Sequence, residues 1–127
     1  MKLPPYADLL GLSVAGREDG LPILTMPWSA GVMGRPGFLH GGAIGGLLEM
    51  AAIAALHARF DDADRPRIKP INVTVDYMRG GREAETFALG KITRLGTRVA
   101  NLEASAWQDD RAKPIALARM NVLLARP

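Results

Sequence analysis

Residues 37–49 read GFLHGGAIGGLLE, and the chain continues as MAAIAALHARF to residue 60. Glu49 is the only charged residue between Gly41 and Leu56. Apolar side chains follow the i, i+3, i+4 spacing of a helix core face, but the opposite face carries glycine and alanine where a surface helix carries polar residues. We therefore predict one long helix that begins at Gly41, ends near Phe60 and is buried on nearly all sides.

Segments with strand character lie on both sides of this helix. Apolar runs flank Asp19-Gly20, a dipeptide typical of tight hairpins, and apolar and polar residues alternate from Ile71 to Tyr77. Short connections make consecutive strands antiparallel. Pro5 to Leu10 is predicted as a short N-terminal helix. The predicted strands are residues 12–16, 21–26, 71–78, 86–95, 98–107 and 115–124. The fold class is therefore α+β, with one antiparallel sheet packed on one long helix.

Length and composition narrow the class of protein. The chain has 127 residues, of which 48% are hydrophobic and 23% charged, so we expect one globular domain over residues 1–127. It has no cysteine, no apolar signal-peptide core and no membrane-spanning run, which makes the cytoplasm the expected location. The net charge of +3 favours an anionic ligand and is too small to indicate nucleic acid. With two histidines and no cysteine, neither a metal nor a cofactor is expected.

Glu49 is the first candidate for chemistry. A carboxylate on an apolar helix is costly unless it is paired, and unpaired carboxylates in clefts are typical of acid and base catalysts. The alternative is that Glu49 pairs with an arginine of the sheet or of a neighbouring subunit. Because one small sheet is not expected to cover a helix without a polar face, we also predict that a second subunit covers the rest of it.

His40, Gly41 and Gly42 stand where a loop becomes the helix. The first N–H groups of a helix have no partner inside it and lie at the positive end of its dipole, so they can bind a developing oxyanion. Glu49 follows Gly41 by eight residues, which is roughly 12 Å along a helix axis. Helix geometry alone therefore does not bring Glu49 to a carbonyl at Gly41. As alternatives, His40 is a helix cap, and the glycines spaced by four serve close packing.

Residues 37–49, together with VTVDYMR at residues 73–79, resemble the hotdog-fold acyl-CoA thioesterases of the PaaI-like, 4-hydroxybenzoyl-CoA thioesterase type. The resemblance extends over most of the chain. It implies a sheet wrapped around one long helix, dimers joined edge to edge, and active sites at the subunit interface. It also implies that the Gly41 N–H polarises the thioester carbonyl and that Glu49, from the facing subunit in some members, activates water or attacks directly. His40 and Gly42 would shape the loop.

The same resemblance implies an acyl-CoA substrate, with coenzyme A as part of the substrate, and a homodimer or a homotetramer built as a dimer of dimers. Expected contacts to the coenzyme A phosphates are Arg79, Arg94 and Arg98, for each of which solvated surface is the alternative. The remaining expected substrate contacts are Asn72, Thr74 and Met78. Two positions depart from the family pattern. Gly34 stands where many members have an asparagine, and Pro70 stands where many have serine or threonine.

Two other functions stay open at this point. One is the hydration or dehydration of an acyl thioester on the same fold, which usually places its histidine further from the helix than His40 lies from Gly41. The other is acyl-CoA binding without chemistry, which the missing asparagine favours. His57, near the end of the helix, is expected to cap carbonyls or to interact favourably with the helix dipole.

Overall fold

The computed structural model describes residues 3–125. The prediction that the N-terminus carries no signal sequence falls partly on residues 1 and 2, outside this range. The helices are α1 (Pro5–Leu9) and α2 (Gly41–His57), and short 3₁₀ turns lie at Ala30–Val32 and Asp62–Asp64. The strands are β1 (Ser13–Glu18), β2 (Leu21–Met26), β3 (Arg67–Tyr77), β4 (Thr86–Leu95), β5 (Val99–Trp107) and β6 (Ala116–Ala125). Each predicted element exists, with ends that differ by a few residues.

The six strands form one sheet in the order β1-β2-β4-β5-β6-β3, and every neighbouring pair is antiparallel. The turn between β1 and β2 has positive φ at both Asp19 (52°) and Gly20 (80°), as a tight hairpin turn requires. The α+β class, the antiparallel sheet and the long helix are thus confirmed. The outermost strands are β1 and β3.

Small side chains let α2 lie close against the inner face of the sheet. The inward residues of β5 and β6 are mostly alanine and are almost fully buried. On β4 the contact is closer still, because a Cβ at Gly90 would lie 2.3 Å from the carbonyl oxygen of Ala51. Gly90 therefore sets how closely the helix backbone approaches the sheet.

One chain already covers most of α2, which corrects the prediction that a second subunit is needed to bury it. Met50 to Leu56 are all buried within the single chain. The sheet covers one side of the helix and α1 covers another, so closely that a Cβ at Gly46 would lie 2.8 Å from the Tyr6 ring. The strip that stays partly exposed contains Gly41, Gly45 and Glu49, which are spaced by four.

Strand β3 is longer than predicted and forms one edge of the sheet. It begins at Arg67, four residues before Ile71, so Pro70 lies inside the strand. The pairing with β6 is irregular between Pro70 and Asn72, and Pro70 is tolerated there because edge strands and bulges do not need every N–H. Beyond this bulge, β3 exposes apolar side chains at its free edge, including Val73 (41%) and Tyr77 (55%).

Candidate functional site

The N-terminus of α2 has one uncommitted backbone donor. The N–H of Gly42 donates to Nδ1 of His40 at 2.8 Å, and those of Ala43 and Ile44 donate to the His40 carbonyl at 3.0 and 3.2 Å. The Gly41 N–H has no hydrogen-bond partner within residues 3–125. His40 is therefore the helix cap, as the alternative interpretation proposed, and it occupies the N–H of Gly42. Gly41 alone can offer an N–H to a ligand at the positive end of the helix dipole.

Tyr77 of β3 holds this end of the helix. Its hydroxyl donates to the carbonyl oxygen of Gly41 at 2.8 Å. A Cβ at Gly41 would lie 3.3 Å from that hydroxyl oxygen, and a Cβ at Gly45 would lie 3.6 Å from it. The glycine pair thus admits the tyrosine ring, a role that the spacing of four suggested without indicating the partner. The feature of the sequence that could have indicated this partner was a tyrosine at the end of the alternating strand that follows the helix.

Glu49 lies on the same strip of α2, and its carboxylate makes no hydrogen bond or ion pair in the part of the chain that the structure describes. Four helical residues rise about 6 Å, close to the roughly 6.6 Å of two strand residues. Since a Cβ at Gly41 would lie 3.3 Å from the Tyr77 hydroxyl oxygen and a Cβ at Gly45 would lie 3.8 Å from Val75, we expect the same stepping to bring Glu49 level with Val73. Within one chain, Glu49 and Gly41 therefore stay about 12 Å apart along the helix.

A cleft of about 250 Å³ opens beside the start of α2. Gly41 and Ile44 of the helix line it, with Tyr77, Met78 and Arg79 from the end of β3. The loop before the helix contributes Arg35, Phe38 and Leu39, and the loop after β3 contributes Gly80 and Gly81. Met78 and Arg79, two of the six expected substrate contacts, thus lie beside Gly41. No carboxylate lines this cleft.

The other four expected contacts lie elsewhere. Asn72 and Thr74 are on the outer face of the sheet, where the Asn72 Oδ1 atom accepts a hydrogen bond from Asn121. Arg94 and Arg98 flank the turn between β4 and β5. The Arg98 carbonyl accepts a hydrogen bond from the N–H of Leu124, which pairs with Ile68 at the start of β3. Arg79 lies just after the opposite end of the same strand. A strand of this length spans roughly 30 Å, so one chain does not bring Arg79 and Arg98 together.

The missing asparagine at position 34 has a structural cause. Gly34 donates its N–H to the Phe38 carbonyl at 2.9 Å, which closes a tight turn before the helix. A Cβ at position 34 would lie 3.0 Å from the Cα atom of His40. A side chain at this position would need the backbone at His40 to shift by a few tenths of an ångström, so the turn favours glycine there.

A larger cleft, of about 540 Å³, lies on the outer face of the sheet and contains Asp76 but none of the motif residues of α2. Two ion pairs line it, since Glu18 forms a bidentate ion pair with Arg111, and Lys91 contacts Glu103 at 3.3 Å. The hydrogen bonds from Arg111 lower the pKa of Glu18, and those to Glu18 raise the pKa of Arg111. Asp19, Asp76 and Arg119 also line this cleft without an ion pair within residues 3–125, but no helix end opens into it, so it is a weaker candidate site than the one at Gly41.

Two further properties of residues 3–125 concern membranes and metal ions. None of the helices in this range has the length and apolar character to cross a membrane. The same range holds no group of three or more side chains that could together bind a metal ion.

Comparison with known proteins identifies relatives. No curated protein matches the chain. Among solved structures, a protein from Chromobacterium violaceum is 38% identical, with 96% of this chain and 84% of that one covered and a TM-score of 0.76. A mutant thioesterase from Pseudomonas aeruginosa is 25% identical, with coverage of 94% and 85% and a TM-score of 0.81.

More distant structures share the fold alone. A thioesterase from Haemophilus influenzae is 17% identical, with coverage of 95% and 82% and a TM-score of 0.82. The family model of the thioesterase superfamily matches residues 36–115, which include the loop before α2, the whole helix and strands β3 to β5. On this match and on the shared hotdog architecture, the chain belongs to the thioesterase superfamily.

Proposed function

We propose that this protein hydrolyses acyl-CoA thioesters at sites formed between two copies of the chain. The observation that carries the proposal is the Gly41 N–H, the one donor left open at the start of α2, with an unpaired Glu49 on the same strip of the helix. Membership of the thioesterase superfamily supports thioester hydrolysis as the reaction class.

The chemistry needs an oxyanion donor and a base. The thioester carbonyl oxygen accepts a hydrogen bond from the Gly41 N–H, and the helix dipole stabilises the negative charge that develops on this oxygen. Glu49 takes a proton from water, and the resulting hydroxide adds to the carbonyl carbon. The carbon–sulfur bond then breaks, which releases the acid and the coenzyme A thiol. Direct attack by the Glu49 carboxylate, followed by hydrolysis of the anhydride, gives the same products.

The separation of Gly41 and Glu49 along α2 is the reason for two copies. Met78 donates its N–H to Ile115, so the N–H groups of Val73, Val75 and Tyr77 point toward the free edge of β3. The regular part of this edge runs from Asn72, just after the bulge, to Met78, and its midpoint is Val75. An edge with exposed apolar side chains and free donors favours pairing with a second strand.

When two β3 strands pair antiparallel with Val75 opposite Val75, the Val73 of one strand lies level with the Tyr77 of the other. Because Glu49 is level with Val73 and Gly41 with Tyr77, the Glu49 of the second copy comes level with Gly41 of the first. The pairing also places Val73 opposite Tyr77, an aliphatic and aromatic pair of the kind that stabilises sheets. Two equivalent sites result, each with the N–H of one chain and the carboxylate of the other.

Substitution of Glu49 tests the reaction. The chain has no cysteine, so release of the coenzyme A thiol can be followed with a disulfide dye without background from the protein. With a panel of aryl and alkyl thioesters, Glu49→Gln should lower the rate by about 10²- to 10⁴-fold without loss of the fold, because the amide cannot act as a base. Glu83→Gln, at an exposed loop carboxylate, is the matched control. Full activity of Glu49→Gln would overturn the assignment.

Complementation tests the shared site. Gly41→Pro removes the N–H, so it and Glu49→Gln should each be inactive alone. If they are denatured and refolded together, half of the dimers should be mixed, each with one intact site, and about a quarter of the wild-type activity should return. No recovery from a sample in which mixed dimers are demonstrated would contradict a site built from two chains.

A second candidate function is acyl-CoA binding without hydrolysis. The observation that favours it is the tight turn at Gly34, where a side chain that could orient the carbonyl would crowd the His40 backbone. It predicts binding of acyl-CoA by calorimetry with no thiol release from any thioester of the panel.

A further inference from the structure

Two arginines converge on one aromatic ring at the mouth of the cleft beside Gly41. The Cζ atom of Arg35 lies 4.0 Å from the centroid of the Phe38 ring, and that of Arg82 lies 4.4 Å from it. A Cβ at Gly80 would lie 2.8 Å from Phe38, so the ring is seated against bare backbone. Cation–π attraction holds both guanidinium groups near fixed positions.

These cations have no protein counter-charge. Arg35, Arg79 and Arg82 form no ion pair within residues 3–125, and the carboxylates of the nearby Glu83 and Glu85 do not contact them at ion-pair distance. Elsewhere Arg65, Lys91 and Arg111 do have carboxylate partners. Because Arg35 and Arg79 line a cleft that lacks any carboxylate and lies at the positive end of α2, the local potential there is positive.

We infer that this cluster of Arg35, Arg79 and Arg82 binds a carboxylate on the acyl group of the thioester substrate, because the phosphates of coenzyme A are separated from the thioester carbonyl by the whole pantetheine arm. The inference rests on the proposed function and gives it a substrate class. A guanidinium donates two parallel hydrogen bonds to such a group, and stacking on Phe38 reduces the entropy lost when it does so. Because Arg35 and Arg79 line the same cleft as Gly41, the bound anion lies near the thioester carbonyl held at Gly41.

Four matched substrates separate the two sources of the anion. Butyryl and succinyl thioesters differ by a terminal carboxylate, and each is made both on coenzyme A, which has phosphates, and on N-acetylcysteamine, which has none. Arg35→Gln and Arg79→Gln are compared with Arg17→Gln, an exposed arginine on β1 at the opposite edge of the sheet. The readouts are kcat and KM for each substrate.

A rise of about tenfold in KM confined to the two succinyl thioesters assigns the cluster to an acyl carboxylate. The same rise confined to the two coenzyme A thioesters would mean that the arginines contact a phosphate, and it would overturn the inference. Equal changes for all four substrates, no change for any, or the same effect from Arg17→Gln would overturn the inference.

Failure of the proposed function gives a different result. If the wild-type chain hydrolyses none of the four thioesters, the function is wrong, and calorimetry with coenzyme A and with succinate then tests the cluster directly. Binding of succinate that weakens about tenfold in Arg35→Gln and not in Arg17→Gln supports the carboxylate site on its own. No binding of succinate by the wild-type chain, or binding of coenzyme A alone, overturns it.

Discussion

The two halves of α2 are both rich in small and apolar residues, but their surroundings differ. In the first half, Gly41 and Gly45 lie on a partly exposed strip, and one backbone donor stays free. In the second half, Met50 to Leu56 are all buried, and the helix backbone touches the backbone of β4 at Gly90. Small residues thus serve opposite purposes within one helix. At the N-terminal end they leave space for a ligand, and at the C-terminal end they allow the helix to pack closely against the sheet.

The packed half should give the largest effect. Gly90→Ala places a Cβ 2.3 Å from the Ala51 carbonyl oxygen, where only a shift of backbone can relieve the clash. We expect a loss of about 3 kcal/mol or more in the free energy of unfolding, measured by denaturant titration. Gly16→Ala, which has no atom within 4 Å of the added Cβ, is the control and should change stability by less than about 1 kcal/mol. Equal stability of the two variants would remove the contrast between the halves.

The open half should give the largest effect on activity without one on the fold. Proline fits the first position of a helix, and His40 before it has φ −68° and ψ 132°, the extended conformation that a residue before proline prefers. Gly41→Pro should therefore fold, yet lower kcat by about 10²- to 10³-fold because the oxyanion donor is gone. Gly41→Ala adds a Cβ and keeps the N–H, so it should keep most of the activity. Similar rates for the two variants would exclude the Gly41 N–H from the reaction.

The contact that positions the open half should matter less. Tyr77→Phe removes the hydroxyl that donates to the Gly41 carbonyl and keeps the ring against Gly41 and Gly45. Since one hydrogen bond contributes about 1 kcal/mol, we expect a fall of roughly fivefold in kcat and little change in KM for the substrate. Steady-state kinetics measure both. An increase in KM alone would make Tyr77 a substrate contact instead of a support for the helix end.

The smallest expected effect concerns the C-terminal end of the packed half. Burial, followed by repulsion from Arg65, lowers the pKa of His57 from its usual 6.5. His57 was expected to cap carbonyls or favour the helix dipole, but its Nδ1 atom is buried and has no hydrogen-bond partner within residues 3–125. Its stabilising contribution is therefore present above about pH 6.5 and is lost as the pH falls toward the lower folded-state pKa, because the unfolded chain takes up the proton first.

Thermal unfolding between about pH 7.5 and pH 5 tests this dependence. His57→Gln should flatten the fall in Tm on the acid side, and the change should be small because the ring is only half-buried. His40→Gln, at an exposed position, is the comparison. An unchanged slope in His57→Gln would show that other groups set the acid response.

Most of the fold followed from short-range patterns. Asp19-Gly20 specified its hairpin, and the alternation from Ile71 to Tyr77 specified a strand, because turn chemistry and side-chain period act over a few residues. The start of β3 at Arg67 did not follow, since proline at position 70 argues against a strand unless a bulge at the sheet edge accommodates it. The coverage of α2 by its own chain also depended on long-range contacts.

The candidate site was predictable to the extent that it lies on one element. Gly41 and Glu49 could be singled out from the helix alone, because an isolated charge and a glycine-rich start are visible in the sequence. The cluster of Arg35, Phe38 and Arg82 could not, since loops bring these residues together, and the contact of Tyr77 with Gly41 depended on how β3 packs beside α2. Arg79 and Arg98 were placed in one group by their charge, and the length of β3 separates them.

The hydrogen bond from Gly42 to Nδ1 of His40 also has a spectroscopic consequence. An accepting Nδ1 atom places the ring proton of the neutral imidazole on Nε2, so the bond selects one tautomer. The chain has only two histidines, and the two tautomers differ in their nitrogen chemical shifts. Nitrogen NMR of the His40 ring therefore reports whether the hydrogen bond from the Gly42 N–H in the first turn of α2 is formed.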